Sequence, residues 1–388
     1  MTIVEVSTPE HKKAFIKVAI DIHKGFENWI RPLDKDIEAV FDTKKNKTFR
    51  HGECNRWLLL NSDNKLIGRV AAFINKKTVD KDNDQPTGGI GFFECIDDTE
   101  AAHMLFDTCK QWLTDRGIEA MDGPINFGER DKWWGLLVDG FHIEPNYCCN
   151  YNPPYYQQLF ESYGFQVYFK QFTYGRKVRD SFAPKLEQKA EKIFQNPDYT
   201  FRHLEMKKLD KYTEDFRTIY NKAWARHKGV AQMSGLQAKN IMKQLKPIID
   251  EQIIWYGYFK DEPIAFYINL PEVNQIFKHV NGKLNWWGKL LFVYHKWRKT
   301  CKKMLGLVFG IVPEHQGKGV EGALVMSTAK KVQDEYHRYP DLEMNWIGDF
   351  NPKMLRVVEQ VGGEIVKTHH TYRKLFDESK PFKRAPIQ

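Results

Sequence analysis

The residues from Leu305 to Leu324 have the types and spacing to hold a phosphate. An apolar run from Leu305 to Val312 enters the turn His315-Gln316-Gly317-Lys318-Gly319, which opens directly onto Val320-Glu321-Gly322-Ala323-Leu324. Leu324, Val325, Thr328, Ala329, Val332 and Tyr336 follow at helical spacing. Glycines let backbone approach an anion closely, and the free N–H groups and dipole of a helix start attract it. A Walker loop would need Ser or Thr after Gly-Lys, and Lys318 is followed by Gly319. Gly317, Gly319 and Gly322 satisfy the spacing of the dinucleotide pattern, but no run of βαβ units follows so late in the chain. A β–α turn without a ligand has the same local sequence. Glu321 suits the helix dipole but would repel a pyrophosphate.

The elements around this turn repeat. In the C-terminal half, Asp210 to Arg226 has helical spacing. Ile253–Phe259 and Ile264–Leu270 are strands around the turn Lys260-Asp261-Glu262-Pro263. The strand Met304–Val312 and its helix come next, then a strand at Glu343–Ile347. A helix opens at Asn351-Pro352 and stops at Gly362-Gly363, and a β segment fills Glu364–Leu375. The N-terminal half follows the same plan: a helix at His11–His23, a hairpin of Arg56–Leu60 and Leu66–Asn75, a strand at Gly89–Ile96 and a helix at Thr99–Arg116. Asn152 lies twelve residues before Gly164, and Asn351 eleven before Gly362. Such echoes favour a duplication. Where the second half has its glycine turn, the first has Asp97, Asp98 and Glu100, good capping chemistry that repels phosphate.

The stretch Val312 to Gly322 resembles motif A of the GNAT acyltransferase superfamily. There a Gln/Arg-x-x-Gly-x-Gly/Ala turn holds the pyrophosphate of acyl-coenzyme A. Gln316 and Gly319 match, and Glu321 departs from the family's Gly or Ala. The element order is also the GNAT order. Gly68-Arg69-Val70-Ala71, Gly123 to Gly128, Trp133 to Phe141 and Asn152 to Tyr156 resemble bacterial proteins with two fused GNAT-like domains. The resemblance implies an α/β (α+β) chain of two tandem GNAT-like domains, each a mixed, mostly antiparallel sheet flanked by helices. A degenerate domain is expected over 1–178, a connector over 179–199 with a short helix at Leu186–Phe194, and an acyl-CoA-binding domain over 200–388.

The resemblance also implies roles. Backbone around Ile311 and Val312 would polarise the thioester carbonyl. Gln316, Gly317, Lys318, Gly319, Val320 and Gly322 would hold the pyrophosphate. Asn351 matches a family Asn that binds the pantetheine arm or orients a water, although Asn before Pro also makes a good helix cap. The family's thiolate-protonating Tyr is replaced by Val358 in one half and Phe160 in the other. Candidate bases are Asp349, Glu343, His369 and His370, with Tyr372 and Arg373 beside the same mouth.

Composition bounds the rest. The chain has 388 residues, 42% hydrophobic, with a formal net charge of +9, so two globular domains with an anionic partner are expected. The six cysteines form no metal or C-x-x-C pattern, and no zinc site or Ser-His-Asp triad has a local signature, so no metal is expected. Met1–Ser7 has no basic-then-apolar pattern and no apolar run reaches roughly 20 residues, which gives a cytoplasmic expectation. From Val273 to Pro313 there is no acidic residue, while Lys283, Lys289, Lys296, Arg298, Lys299 and Lys302 surround Trp286, Trp287 and Trp297. Leu290, Tyr294, Trp297, Cys301 and Met304 suggest an amphipathic helix through residues 286–304. It could pack on its own domain with a solvated basic face, cover the active site, or touch a membrane surface.

The expected activity is acyl transfer, chiefly acetyl, from acyl-CoA to an unidentified amine. Two alternatives stand beside it: a non-catalytic acyl-CoA-binding module, and a Fem-type transferase using aminoacyl-tRNA. The phosphate turn argues against nucleic acid as the partner.

Overall fold

Strands and amphipathic helices alternate along the computed structural model, which describes residues 1–81, 83–224 and 232–387. In the first half these are β1 (Thr2–Glu5), α1 (Pro9–Ile22), α2 (Asp34–Val40), β2 (Gly52–Leu60), β3 (Leu66–Asn75), β4 (Thr87–Cys95), α3 (Thr99–Thr114), β5 (Ala120–Gly123), β6 (Leu136–Asp139), α4 (Tyr156–Ser162) and β7 (Gln166–Lys177). Then follow α5 (Pro184–Phe194), β8 (Tyr199–His203), α6 (Leu209–Trp224), α7 (Gly235–Leu245), β9 (Ile254–Phe259), β10 (Glu262–Pro271), α8 (Asn274–Phe277), α9 (Trp286–Trp297), β11 (Lys303–Ile311), α10 (Val320–Lys330), β12 (Asp341–Gly348), α11 (Pro352–Gln360) and β13 (Glu364–Leu375). Residues 225 and 226 of the expected helix lie outside the described residues.

Local chemistry starts these helices where the sequence suggests. The Asp98 carboxylate accepts the Ala101 N–H at 2.9 Å and opens α3, which buries Ala101, Ala102, Leu105, Phe106, Cys109 and Leu113 along one stripe. Asn351 caps α11 by accepting the Met354 N–H at 3.2 Å.

All the strands join one sheet, in the order β1-β2-β3-β4-β5-β13-β7-β12-β11-β10-β9-β8, with β6 also pairing β13. The expected duplication is visible in its registers. Among the described strand pairs only β4·β5 and β11·β12 are parallel, and each is short. Beyond Gly89↔Asp122 and Gly306↔Met344 the paired strands part. Next to each parting the middle strand bulges: β4 skips a residue opposite Arg69 and Ala71, and β11 opposite Ile268 and Asn269. Each half therefore carries an opening between two parallel strands.

The halves exchange their last strands. β13, from the end of the chain, pairs β5 of the first half, while β7 pairs β12 of the second. The exchanged strands pair each other from Glu364↔Gly175 to Arg373↔Gln166. Tyr372 is consequently part of the first half's apolar core, with Phe160, Phe165 and Phe106. Arg373 is buried, paired with Asp122 at 2.6 and 2.8 Å and stacked over Tyr168. This corrects the expectation that Tyr372 and Arg373 flank the second half's opening. Strand pairing outruns sequence order here, because β13 finds its three ladders in the first half's strands β5, β6 and β7.

A strand with neighbours on both sides opens only when much of the sheet opens. Hydrogen exchange should find the β7 and β13 amides among the slowest in the chain. Ending the chain at Gly363 should expose the β5 and β7 amides of the first half. Retained protection there would contradict this dependence.

Candidate functional site

The second half's glycine turn has the expected backbone. Gly317 and Gly319 adopt φ of 73° and 102°, and Gly319 leads into α10. Three of the groups that a donor would use, however, already have protein partners. The Glu321 carboxylate accepts the Gly317 N–H at 2.7 Å. The Gln316 side chain folds back to donate to the Ile311 carbonyl at 2.9 Å. The Val312 N–H is bonded to the Ile264 carbonyl at 2.9 Å. Ile311, Val312 and Val320 are buried, and Lys318 faces solvent. Helix α5, found where the connector helix was expected, lies across the turn. A Cβ on Gly319 would come within 2.8 Å of the Lys189 carbonyl oxygen, and one on Gly322 within 3.0 Å of Leu186. Deeper in, Val178 and Phe182 reach Val325, Thr328 and Leu342, leaving about 20 Å³ free.

The candidate bases of that half are also engaged. Asp349 pairs with Arg384 at 2.5 Å. Glu343 is buried between Lys303 at 2.5 Å and Lys367 at 2.8 Å and accepts from Asn146 at 2.7 Å. Burial pushes this carboxyl up, but the two ammonium groups outweigh it and hold it below the usual carboxylate range. His369 and His370 are pushed down to about 4 by burial, with neighbouring Lys charges adding to the shift. The His369 Nε2 lies 3.0 Å from the Asn150 carbonyl.

The first half's opening is different. A pocket of about 70 Å³ lies between α1, the loop from Trp29 to Asp34, the β4 bulge and the segment Cys149–Asn152. Its wall mixes the apolar Ile16, Ile20, Ile30, Phe92 and Leu136 with the polar Arg31, Asp34, Asn150 and Asn152. Phe92 sits at φ 52°, a left-handed value that a side chain adopts at a cost and that marks the bulge.

One buried polar cluster faces this pocket. Arg69 on β3 donates to Glu94 Oε1 on β4 at 3.2 Å and to the Phe15 carbonyl at 2.7 Å. The Tyr156 hydroxyl donates to Glu94 Oε2 at 2.8 Å and accepts the Cys95 N–H at 2.9 Å. His23 lies 3.6 Å from Glu94 Oε2 and stacks on Trp29 with ring centroids 4.6 Å apart. Burial and the Glu94 charge push the Tyr156 phenol far up, so it stays protonated. Burial lowers Arg69 from its ordinary value, and Glu94 opposes that shift.

Sequence reasoning missed this cluster, and a trace of it was there to read. Leu66-Ile67-Gly68-Arg69-Val70-Ala71 and Gly91-Phe92-Phe93-Glu94-Cys95 each set one charge in an apolar strand. Opposite charges in apolar strands are rarely buried unless paired, and the register does place Arg69 opposite Glu94.

Paired parallel strands that part at a bulge, twice in one sheet with exchanged final strands, define a class: the GNAT fold with two fused domains. The chain is similar, at TM-score 0.54 and 7% identity, to a tandem GNAT protein from the clavulanic acid biosynthesis pathway, with 98% of this chain and 99% of that one covered. It is also similar, at TM-score 0.55 and 11% identity, to the GCN5-related glucosamine N-acetyltransferase region of a fungal multi-domain β-N-acetylglucosaminidase, where it spans 96% of itself and 38% of that longer chain. No protein-family model matches. In sequence it is 26% identical over 384 residues to a Caulobacter vibrioides (strain NA1000 / CB15N) protein named Bacterial ceramide synthase, covering 96% of this chain and 97% of that protein. It is 24% identical over 376 residues to Protein YghO of Escherichia coli (strain K12), covering 93% and 92%.

A second buried carboxyl joins the halves. Glu272 Oε1 accepts from the Tyr147 N–H at 3.0 Å and the Asn274 N–H at 2.8 Å. Burial pushes it up to about 7, only partly offset by those N–H groups, Lys303 and Lys367. From its ordinary 4.5 to about 7 the folded chain holds this proton more tightly than the unfolded one. The stability it contributes is therefore full below that window and lost as pH rises through it, by about 3 kcal/mol. Glu272→Gln keeps both acceptor bonds without the charge. Urea unfolding from pH 5 to 8 should show a smaller loss of stability in this variant than in the parent chain. Parallel profiles would contradict the shift.

Proposed function

We propose that the chain is an acyltransferase that forms an amide in the first half's pocket, from an acyl thioester and the amine of a substrate with an apolar tail. The observation that carries this reading is the Arg69–Glu94–Tyr156 cluster, buried at the bulge of parting strands and facing that pocket. The amine nitrogen attacks the thioester carbonyl carbon, its proton passes to Glu94, and the carbon–sulfur bond breaks. Tyr156, protonated and bonded to Glu94, stands where a proton could be returned to the leaving thiolate. Backbone freed at the Phe92 bulge supplies donors for the carbonyl oxygen. Arg69 holds the carboxylate in place and balances its charge.

The acceptor class follows from two supports. Ile16, Ile20, Ile30, Phe92 and Leu136 give the pocket apolar surface beside its polar groups, against which the first carbons of a chain can rest. The Caulobacter relative named Bacterial ceramide synthase is matched along nearly its whole length, and ceramide is an amide of a long-chain amino alcohol. Acyl-CoA, including acetyl-CoA, is the proposed donor. Binding of its pyrophosphate at Gln316–Gly322 would require Glu321 to leave the Gly317 N–H, so donor binding there should strengthen in Glu321→Ala, which removes that acceptor. Asn351 and Asp349 keep their cap and ion pair in this reading and take no part in the chemistry.

The test is amide formation by mass spectrometry, with acyl-CoA donors from acetyl to long-chain and amines with and without long tails. Glu94→Gln and Tyr156→Phe should each lower the rate by about 100-fold or more, compared at a temperature where circular dichroism shows both variants folded. Unchanged rates in both variants would overturn the assignment. Coenzyme-dependent stabilisation with no product across the panel would point to a binding module instead.

A further inference from the structure

The sequence leaves three fates open for the basic aromatic segment, and the structure changes their balance. Its regular pattern is split. The helix ends at Trp297, while Cys301 and Met304 are buried, Met304 in strand β11. Of the helical part, Gly288 alone is fully buried, and Phe292 is partly buried beneath it. Trp286, Trp287, Val293 and Trp297 are 65%, 67%, 62% and 76% exposed, and Leu290 and Tyr294 stand exposed between them. Of the three, packing of the apolar side on its own domain is not what the structure has: that side faces out. At about 100° per residue the exposed apolar side chains cover an arc of about 160°. Gly288, Phe292 and His295 face the protein, and Lys289 and Lys296 lie on the edge between the two arcs.

An exposed apolar face of this kind on a soluble domain marks an interaction surface. Its chemistry selects the occupant. Three tryptophans at the rim, a continuous aliphatic centre and a basic border are what an interfacial helix needs to sit at the acyl–headgroup boundary. No acidic side chain occurs from Val273 to Pro313, so nothing in the segment opposes a negative surface. We infer that α9 docks this chain onto an anionic lipid bilayer, with Trp286, Trp287 and Trp297 buried among the lipids and Lys289, Arg298 and Lys299 against the headgroups.

The helix is mechanically joined to the reaction pocket. The Asp34 N–H donates to the Gly282 carbonyl at 2.9 Å, and Leu33 packs against Val273, Phe277 and Val280 just before α9. Asp34 and its neighbours Ile30, Arg31 and Pro32 form one wall of that pocket. Docking would hold this wall near the bilayer. The docking itself does not depend on the proposed acyl transfer and is read without it.

Flotation of the full-length protein with vesicles tests it. The chain should bind phosphatidylcholine vesicles containing about a third phosphatidylglycerol and bind pure phosphatidylcholine vesicles far more weakly, with binding falling as salt rises. Trp286→Ala with Trp297→Ala should lower vesicle affinity by about tenfold or more, and Lys289→Glu with Arg298→Glu should lower it on anionic vesicles only. All four residues are exposed, so circular dichroism and melting temperature should match the parent's. Brominated lipids should quench parent tryptophan fluorescence more than that of the tryptophan variant. Equal binding by parent and tryptophan variant, or no binding to anionic vesicles, would overturn the inference. So would a dimer in sedimentation equilibrium that the tryptophan variant dissolves, because a second copy would then own this face.

Discussion

The exchange of β7 and β13 is the constraint on which the rest of the molecule depends. Each exchanged strand is hydrogen-bonded on both sides, and each finds its neighbours in the other half of the chain: β7 pairs β12 and β13, and β13 pairs β5, β6 and β7. The path of paired strands therefore ends at β1 and β8, with the short β6 set beside β13 at the junction. The exchange also explains why charged and polar side chains are buried at the centre. Lys367 on β13, Glu343 on β12 and Lys303 on β11 satisfy one another, and Asn146 from the first half completes the set. Removing one member of such a set leaves an uncompensated charge in a dry site, a loss of about 3–5 kcal/mol. The junction is a shared interior rather than a contact between two finished domains.

Duplication gives two openings, and packing gives them different fates. In the second half the connector lies over the glycine turn and its Phe182 lines the small cavity deeper in, while Glu321 takes the N–H that an anion would use. In the first half the acidic turn is closed by its own Asp98 cap, but the mouth of the parted strands stays open and keeps a buried charged cluster. One copy has the phosphate-turn backbone, and the other has the buried charged cluster at the bulge. That division makes the proposed reaction site the half whose sequence looks more degenerate.

Much of the fold was legible because it is written locally. The hairpin at Leu60–Leu66, the caps at Asp98 and Asn351, the connector helix and the glycine turn all follow from residues within a few positions of each other. The exchange was not legible, since Glu364–Leu375 reads as a final strand whichever neighbour it pairs. Short strands such as β5 and β6 carry too few residues to show a period, and they were missed. The first half's buried cluster was not legible for a related reason. A glycine turn is a contiguous motif, whereas Arg69, Glu94 and Tyr156 meet only through strand register and a helix end. The outward face of helix α9 was not legible either, because periodicity names a stripe without saying which side of it meets protein.

The most direct test of the account is to find where an acyl thioester rests. A photoreactive acyl-CoA, crosslinked to the full-length chain and mapped by peptide mass spectrometry, reads this without requiring turnover. The account predicts label at the reacting end on Phe92–Glu94 and on Tyr151–Tyr156. Label confined to Phe309–Val320 would contradict it and return the chemistry to the second half.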